Sequence, residues 1–237
     1  MNLSELLIKD NEALAFEDVF LDEKQRIILD QLVKEYTYFS ELTDLGLPVN
    51  NKVFLHGSSG CGKTTTAKAL AKRLNKTIII LDLSTIVSAK LGETSQHIKL
   101  VFEKASRERA VLFLDEFDQI GKSRAVDDKD VGEMRRIVNT LIQLIDYFSP
   151  NSVLICASNH ADIIDQALMR RFQLRLNYEL PSQEQLDNYY DRLISNYPSH
   201  FALFKRKYNV SYAEAKDYAL TSIKKQVINQ LETRDKI

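Results

Sequence analysis

The chain has 237 residues, and 32 Lys+Arg against 33 Asp+Glu leave a formal net charge of −1. That length fits one large domain or a domain with a small appendage, and 44% hydrophobic with 27% charged residues excludes wholesale disorder. Near-neutrality leaves no electrostatic footprint for nucleic acid or an anionic membrane, two cysteines exclude a disulfide framework, and no apolar run reaches the roughly 18–20 residues that span a bilayer.

Met1–Asp10 has neither the basic start nor the long apolar run of a signal peptide, so the expected location is cytoplasmic. Ile27, Ile28, Leu29, Leu32, Val33, Tyr36 and Phe39 recur at helical spacing and predict a helix over 23–40. Leu47–Asn51 reads as a turn, and Val53–Leu55 as a short buried strand. A helix over Lys63–Leu74, a strand over Ile78–Leu81 and a helix over 95–108 follow, then a strand over Ala110–Leu114. Met134–Phe148 is periodic at helical spacing, and Val153–Ala157 is another apolar strand. Leu174, Leu176 and Tyr178 alternate with Arg175 and Asn177, as a fifth strand nearer an edge does. Strands that are apolar throughout and separated by helices predict a parallel sheet covered on both faces. Beyond Pro181 only helical patterns remain, over 182–195 and 211–231. The expected organisation is therefore an α/β domain over 1–180 and a small helical domain over 181–237.

Seven glycines serve the whole chain, and Gly57, Gly60 and Gly62 fall within six residues. Glycine concentrated in this way marks a backbone that something approaches closely. The run Gly57-Ser58-Ser59-Gly60-Cys61-Gly62-Lys63-Thr64, followed by Thr65, fits G-x-x-x-x-G-K-[ST] between a strand and a helix, the context of a phosphate-binding P-loop. Polyphosphate requires several inward-pointing backbone N–H groups with a helix N-terminus behind them. Lys63 would supply a point charge for the β- and γ-phosphates and Thr64 a hydroxyl ligand for Mg²⁺. The apolar run Val111–Leu114 then delivers Asp115 and Glu116 to the carboxyl end of a strand, where open α/β sheets bind ligands. Asp115 would hold Mg²⁺, directly or through water, and Glu116 would orient and deprotonate the attacking water. Asn159, after Cys156-Ala157-Ser158, offers an amide to the γ-phosphate or that water. Arg170 and Arg171 offer guanidinium groups that can neutralise charge in phosphoryl transfer, from a neighbouring subunit if need be.

In this order the elements resemble the AAA+ ATPases, specifically the classical AAA group, over about Phe16 to Leu231. Phe16–Val19 looks like the opening segment of that module, residues 57–64 match Walker A and 111–116 match Walker B. Asn159 takes the sensor-1 place, and Arg170 and Arg171 take the arginine-finger places. The adjacent pair followed by Phe172 and Arg175 is most like the katanin and spastin branch. Ser211-Tyr212-Ala213-Glu214 resembles the sensor-2 segment, where members of that group carry a small residue. The resemblance implies a P-loop NTPase fold with a five-stranded parallel sheet and a helical lid. It also implies ATP and Mg²⁺ as ligands and a homo-oligomeric ring, usually of six, in which Arg170 and Arg171 act on the neighbour's nucleotide.

Three positions depart from the pattern: Lys90 stands where a pore loop usually carries an aromatic residue, His160 follows the sensor Asn, and Leu21 replaces a glycine. Cys61 and Cys156 read as P-loop filler and core, and Asp127–Asp130 as a solvated loop. The four histidines lack metal-ligand spacing, and the tyrosines crowded into 189–218 read as small-domain core. The leading expectation is a ring-forming ATPase that remodels a protein partner. With about 15 residues ahead of the module, client choice would rest with an adaptor or with the pore. Competing readings are a nucleic-acid-associated motor or loader, which the net charge opposes, and a scaffold whose assembly ATP gates. A small-molecule kinase shares the P-loop but not Asp115-Glu116 with the downstream Asn and Arg pair.

Overall fold

The computed structural model describes residues 7–8, 15–88, 91–119 and 128–234. They divide into two compact units. One comprises the residues up to Gly57 with Lys63–Asn177, and the other Ser58–Gly62 with the chain from Tyr178 onward.

The first unit is built on strands β1 (Leu7–Ile8), β2 (Lys52–Gly57), β3 (Ile78–Asp82), β4 (Val111–Asp115), β5 (Val153–Ser158) and β6 (Leu174–Tyr178). Their order across the sheet is β1-β3-β4-β5-β2-β6. The five longer strands run parallel, as their unbroken apolar runs require, while β1 adds antiparallel to the β3 edge. This two-residue strand makes the sheet six-stranded, one more than the sequence predicts; a Leu-Ile dipeptide has no period to detect. Every residue of β5 is buried, and β4 is buried up to Asp115. β6 alternates exposed and buried residues, as an edge strand does.

Helices Leu91–Arg107 and Asp128–Asp146 cover one face of the sheet, with Ile98, Val101, Phe102, Ile137, Leu141 and Ile145 in its core. Helix Glu23–Thr37 buries Leu29 and Leu32, and helix Lys63–Arg73 buries Ala67, Leu70 and Ala71. The first of these starts at a capping box: Gln25 N–H donates to Asp22 Oδ1 at 2.7 Å, and Asp22 N–H to Gln25 Oε1 at 3.0 Å. The helix expected over 23–40 is interrupted at Tyr38, where φ is −104° and ψ 32°, and a short helix Phe39–Asp44 follows. Two short helices were not legible as such, Leu83–Ser88 and Gln166–Met169.

In the second unit, helices Gln183–Ile194 and Tyr212–Arg234 enclose a small core of Leu186, Tyr190, Ala215 and Ala219. Aromatic rings extend it: Tyr189 and Tyr212 lie 5.0 Å apart, Tyr190 and Phe204 5.8 Å. Tyr197 and Tyr208, by contrast, stay more than a third exposed. The Lys90 pore-loop position and the start of the acidic stretch at Asp127 lie outside the described residues, while 128–130 open a helix.

Candidate active site

Parallel register brings the carboxyl ends of β2 to β5 to one edge of the sheet, delivering Gly57, Asp82, Asp115 and Ser158 there. Lys63 opens the helix after β2 and is only 8% exposed. Its ammonium donates to the Gly57 carbonyl at 2.7 Å and to Asn159 Oδ1 at 2.8 Å. Two neutral oxygens thus orient a buried cation, tying together residues 96 positions apart. Thr64, next along the helix, donates through Oγ1 to Asp115 Oδ2 at 3.1 Å. Thr65, also expected to bind nucleotide, faces solvent.

Asp115 is held above the usual carboxylate range, chiefly because burial penalises its charge. Hydrogen bonds from the Glu116 N–H, at 3.0 Å, and from Thr64 oppose that rise, Asp82 adds to it, and Lys63 lowers it. Asp82 is the register partner of Asp115 on β3. Its only signal in the sequence is its place directly after the Ile78–Leu81 run. Such a carboxylate gains from a cation. Among the described residues no group of three or more His, Cys, Asp or Glu could cage a metal. The oxygen pair Thr64 and Asp115 suits Mg²⁺, which takes one or two protein oxygens and completes its shell with water and substrate phosphate.

Glu116 has φ +53°. A left-handed conformation is uncommon for a residue with a side chain, and such outliers collect at functional sites. Two anchors hold it: Gln119 N–H donates to the Glu116 carbonyl at 2.9 Å, and Phe117 N–H to the Ala157 carbonyl at 2.8 Å. Phe117 is itself buried in an aromatic triangle with Phe54 and Phe172, whose centroids lie 6.2 and 5.9 Å from its own.

Phe172 also anchors the arginine pair, whose two members differ. Arg171 forms a two-pronged ion pair with Asp146, Nε to Oδ1 at 2.8 Å and Nη2 to Oδ2 at 2.9 Å. Arg170 is exposed and forms no ion pair among the described residues. Nothing within the chain brings either guanidinium to Lys63 or Asp115 among the described contacts, and Asp146 carried no signal in the sequence. His56, ahead of Gly57, is pushed below its ordinary value by burial and then by Lys63 and Arg175.

The loop residues 58–62 belong to the second unit. Gly57, Gly60 and Gly62 all have positive φ, +116°, +71° and +99°, which explains glycine there. Ser58 N–H donates to the Tyr178 carbonyl at 2.7 Å, and Ala213 N–H to the Gly60 carbonyl at 3.1 Å. Cys61 is buried, with its thiol 3.6 Å from the Ser59 carbonyl. Ser211 and Glu214 cap the helix beside Gly60: Ser211 N–H and Oγ both donate to Glu214 Oε2 at 2.8 Å.

Residues 53–180 match the family described as "ATPase family associated with various cellular activities (AAA)". An uncharacterized AAA family ATPase of Sinorhizobium fredii, y4kL, is 32% identical over 224 residues, covering 92% of this chain and 68% of its own length. The proteasome-activating nucleotidase of Pyrococcus abyssi is 39% identical over 150 residues, 60% of this chain and 37% of that protein. The crystal structure of the FIGL-1 AAA domain superposes with a TM-score of 0.67 at 24% identity, over 84% of this chain and 67% of that one.

Proposed function

The chain belongs to the AAA family of ATPases, and from that premise we propose that it hydrolyses ATP with Mg²⁺ as a homo-oligomeric ring that remodels or unfolds a protein partner. The observation that carries the chemistry is the pair of hydrogen bonds Lys63–Asn159 and Thr64–Asp115, which assemble residues from three strand ends. Backbone N–H groups of 57–63 hold the polyphosphate, with Gly57, Ser58, Ser59, Gly60, Cys61 and Gly62 shaping the loop. Lys63 exchanges neutral oxygens for phosphate oxygens, which its charge favours. Thr64 and Asp115 hold Mg²⁺, whose chemistry is to neutralise charge on the β- and γ-phosphates. Glu116 accepts a proton from the water that attacks the γ-phosphorus, and Asn159 orients the water or the phosphate.

Arg170 is the arginine offered to a neighbour's nucleotide, because Asp146 engages Arg171 within its own chain. The protein-remodelling half of the reading draws on the likeness to a proteasome-activating nucleotidase; an adaptor or the pore selects the client, in the cytoplasm. No described helix is long and apolar enough to cross a membrane. The test is turnover per subunit against protein concentration, with and without Mg²⁺. A steep rise that chelation abolishes is expected; a rate independent of concentration down to the monomer would overturn the ring.

A further inference from the structure

Behind Glu116 and Asn159 lies a buried polar contact that no expectation from the sequence includes. Asp118 is fully buried and Ser158 is 1% exposed. Ser158 Oγ donates to Asp118 Oδ1 at 2.9 Å across 40 residues of sequence, and Ser158 Oγ in turn accepts the His160 N–H at 2.9 Å. One residue earlier on each side, Phe117 N–H donates to the Ala157 carbonyl at 2.8 Å. Two successive residues of the turn after β4 are therefore bonded to two successive residues at the end of β5. Glu116 directly precedes that pair on one side, and Asn159 directly follows it on the other.

We propose that Asp118 and Ser158 are positioning residues, a buried brace that sets Glu116 and Asn159 in one shared geometry and thereby controls the hydrolytic step. The inference rests on the roles given above to Glu116 and Asn159. Three physical facts support it. A hydrogen bond to a carboxyl group at a water-free site is stronger and better oriented than an exposed one. The left-handed backbone of Glu116 persists only where its surroundings over-determine it, and Asp118 lies two residues away on the inner side of that turn. Ser158 Oγ, by bonding forward to the His160 N–H, closes the backbone around Asn159, whose amide oxygen already holds Lys63. A shift in the brace displaces base and sensor together, and misplacement of reacting groups by about 1 Å costs roughly a hundredfold in rate.

The test compares kcat, KM for ATP and equilibrium binding of a fluorescent ATP analogue for Ser158→Ala, Ser158→Thr, Asp118→Asn, Asn159→Ala and the double variant Ser158→Ala/Asn159→Ala. Ser158→Ala is expected to lower kcat by about ten- to a hundredfold with analogue affinity near that of the wild type. Ser158→Thr, which keeps the hydroxyl, recovers most of the rate. The double variant loses less than the two single losses combined, because part of the effect of the brace passes through Asn159, while the rest, through Glu116, remains. Wild-type kcat in Ser158→Ala, parallel loss of binding and turnover without rescue by Thr, or additive losses in the double variant each overturn the proposal while leaving the site itself standing. Wild-type kcat in Asn159→Ala overturns both. Should Asp118→Asn fail to fold, the Ser158 series decides alone.

Discussion

Gly46 and Gly60 have almost the same backbone conformation, φ +72° and +71°, in opposite surroundings. A Cβ on Gly46 would meet nothing within 4 Å, whereas one on Gly60 would lie 2.6 Å from Ser211 Oγ and 3.0 Å from the Cβ atoms of Ser211 and Ala213. Substituting each by alanine therefore imposes the same left-handed strain, about 1–2 kcal/mol, and only Gly60→Ala adds an overlap. Relieving it means moving Ser211, which is buried and bonded to Glu214, and overpacking of this kind costs about 1–3 kcal/mol. The expected losses are about 1–2 kcal/mol for Gly46→Ala and about 2–5 kcal/mol for Gly60→Ala. Guanidinium unfolding followed by far-ultraviolet circular dichroism reads both, and tyrosine fluorescence adds a second probe because the chain has no tryptophan. Gly60→Ala should also weaken nucleotide binding, since the loop must shift away from the 211–214 turn. Equal stability losses in the two variants would refute the close approach of Ser211 to the loop.

Lys63→Ala removes a buried cation, and a charge-assisted hydrogen bond from it to phosphate is worth about 1.5–3 kcal/mol; titration with a fluorescent ATP analogue should show at least tenfold weaker binding. Arg170→Ala should abolish turnover while binding survives, and mixtures with wild type should lose activity more steeply than in proportion; a linear loss would contradict action on a neighbour. Asp146→Ala removes the ion-pair partner of Arg171, leaving its bond to the Ala167 carbonyl, and should cost only about 0.2–1 kcal/mol of stability, since the pair is partly exposed; a thermal shift at low and high salt checks it. Tyr189 and Tyr212 are each pushed up to about 12, mainly by burial. Their folded values exceed the ordinary one near 10, so the stability they contribute is complete below about pH 10 and is lost as the pH rises toward 12. Absorbance at 295 nm should show them ionising after the exposed tyrosines, in step with unfolding.

The strands were legible because a sheet buried on both faces demands unbroken apolar runs, and the P-loop because positive φ at three nearby positions demands glycine. Boundaries were less legible. Ile137, Leu141 and Ile145 continue in period to Phe148, yet the helix stops at Asp146, and Phe148 is buried beyond its end against Phe102 at 5.4 Å. Apolar spacing therefore overran the helix, because a core is filled by turns as well. At the other end, the charged start of that helix, Asp128-Lys129-Asp130, reads as a loop in sequence. The contacts that refine the site, Asp118 with Ser158 and Asp146 with Arg171, join residues 40 and 25 positions apart. No local pattern encodes such pairs; they exist only once the sheet sets β4 beside β5 and the arginine turn beside the end of a helix.

In the proposed chemistry this chain hydrolyses ATP, Glu116 acting on water while Lys63, Thr64 and Asp115 hold nucleotide and metal. Phosphate release by wild type and by Glu116→Gln, measured with Mg²⁺ alongside nucleotide binding in the same preparations, tests it most directly. Glu116→Gln should bind nucleotide nearly as the wild type does, with turnover reduced by about a hundredfold or more. Wild-type turnover in Glu116→Gln, or no turnover in the wild type at any concentration, would contradict it.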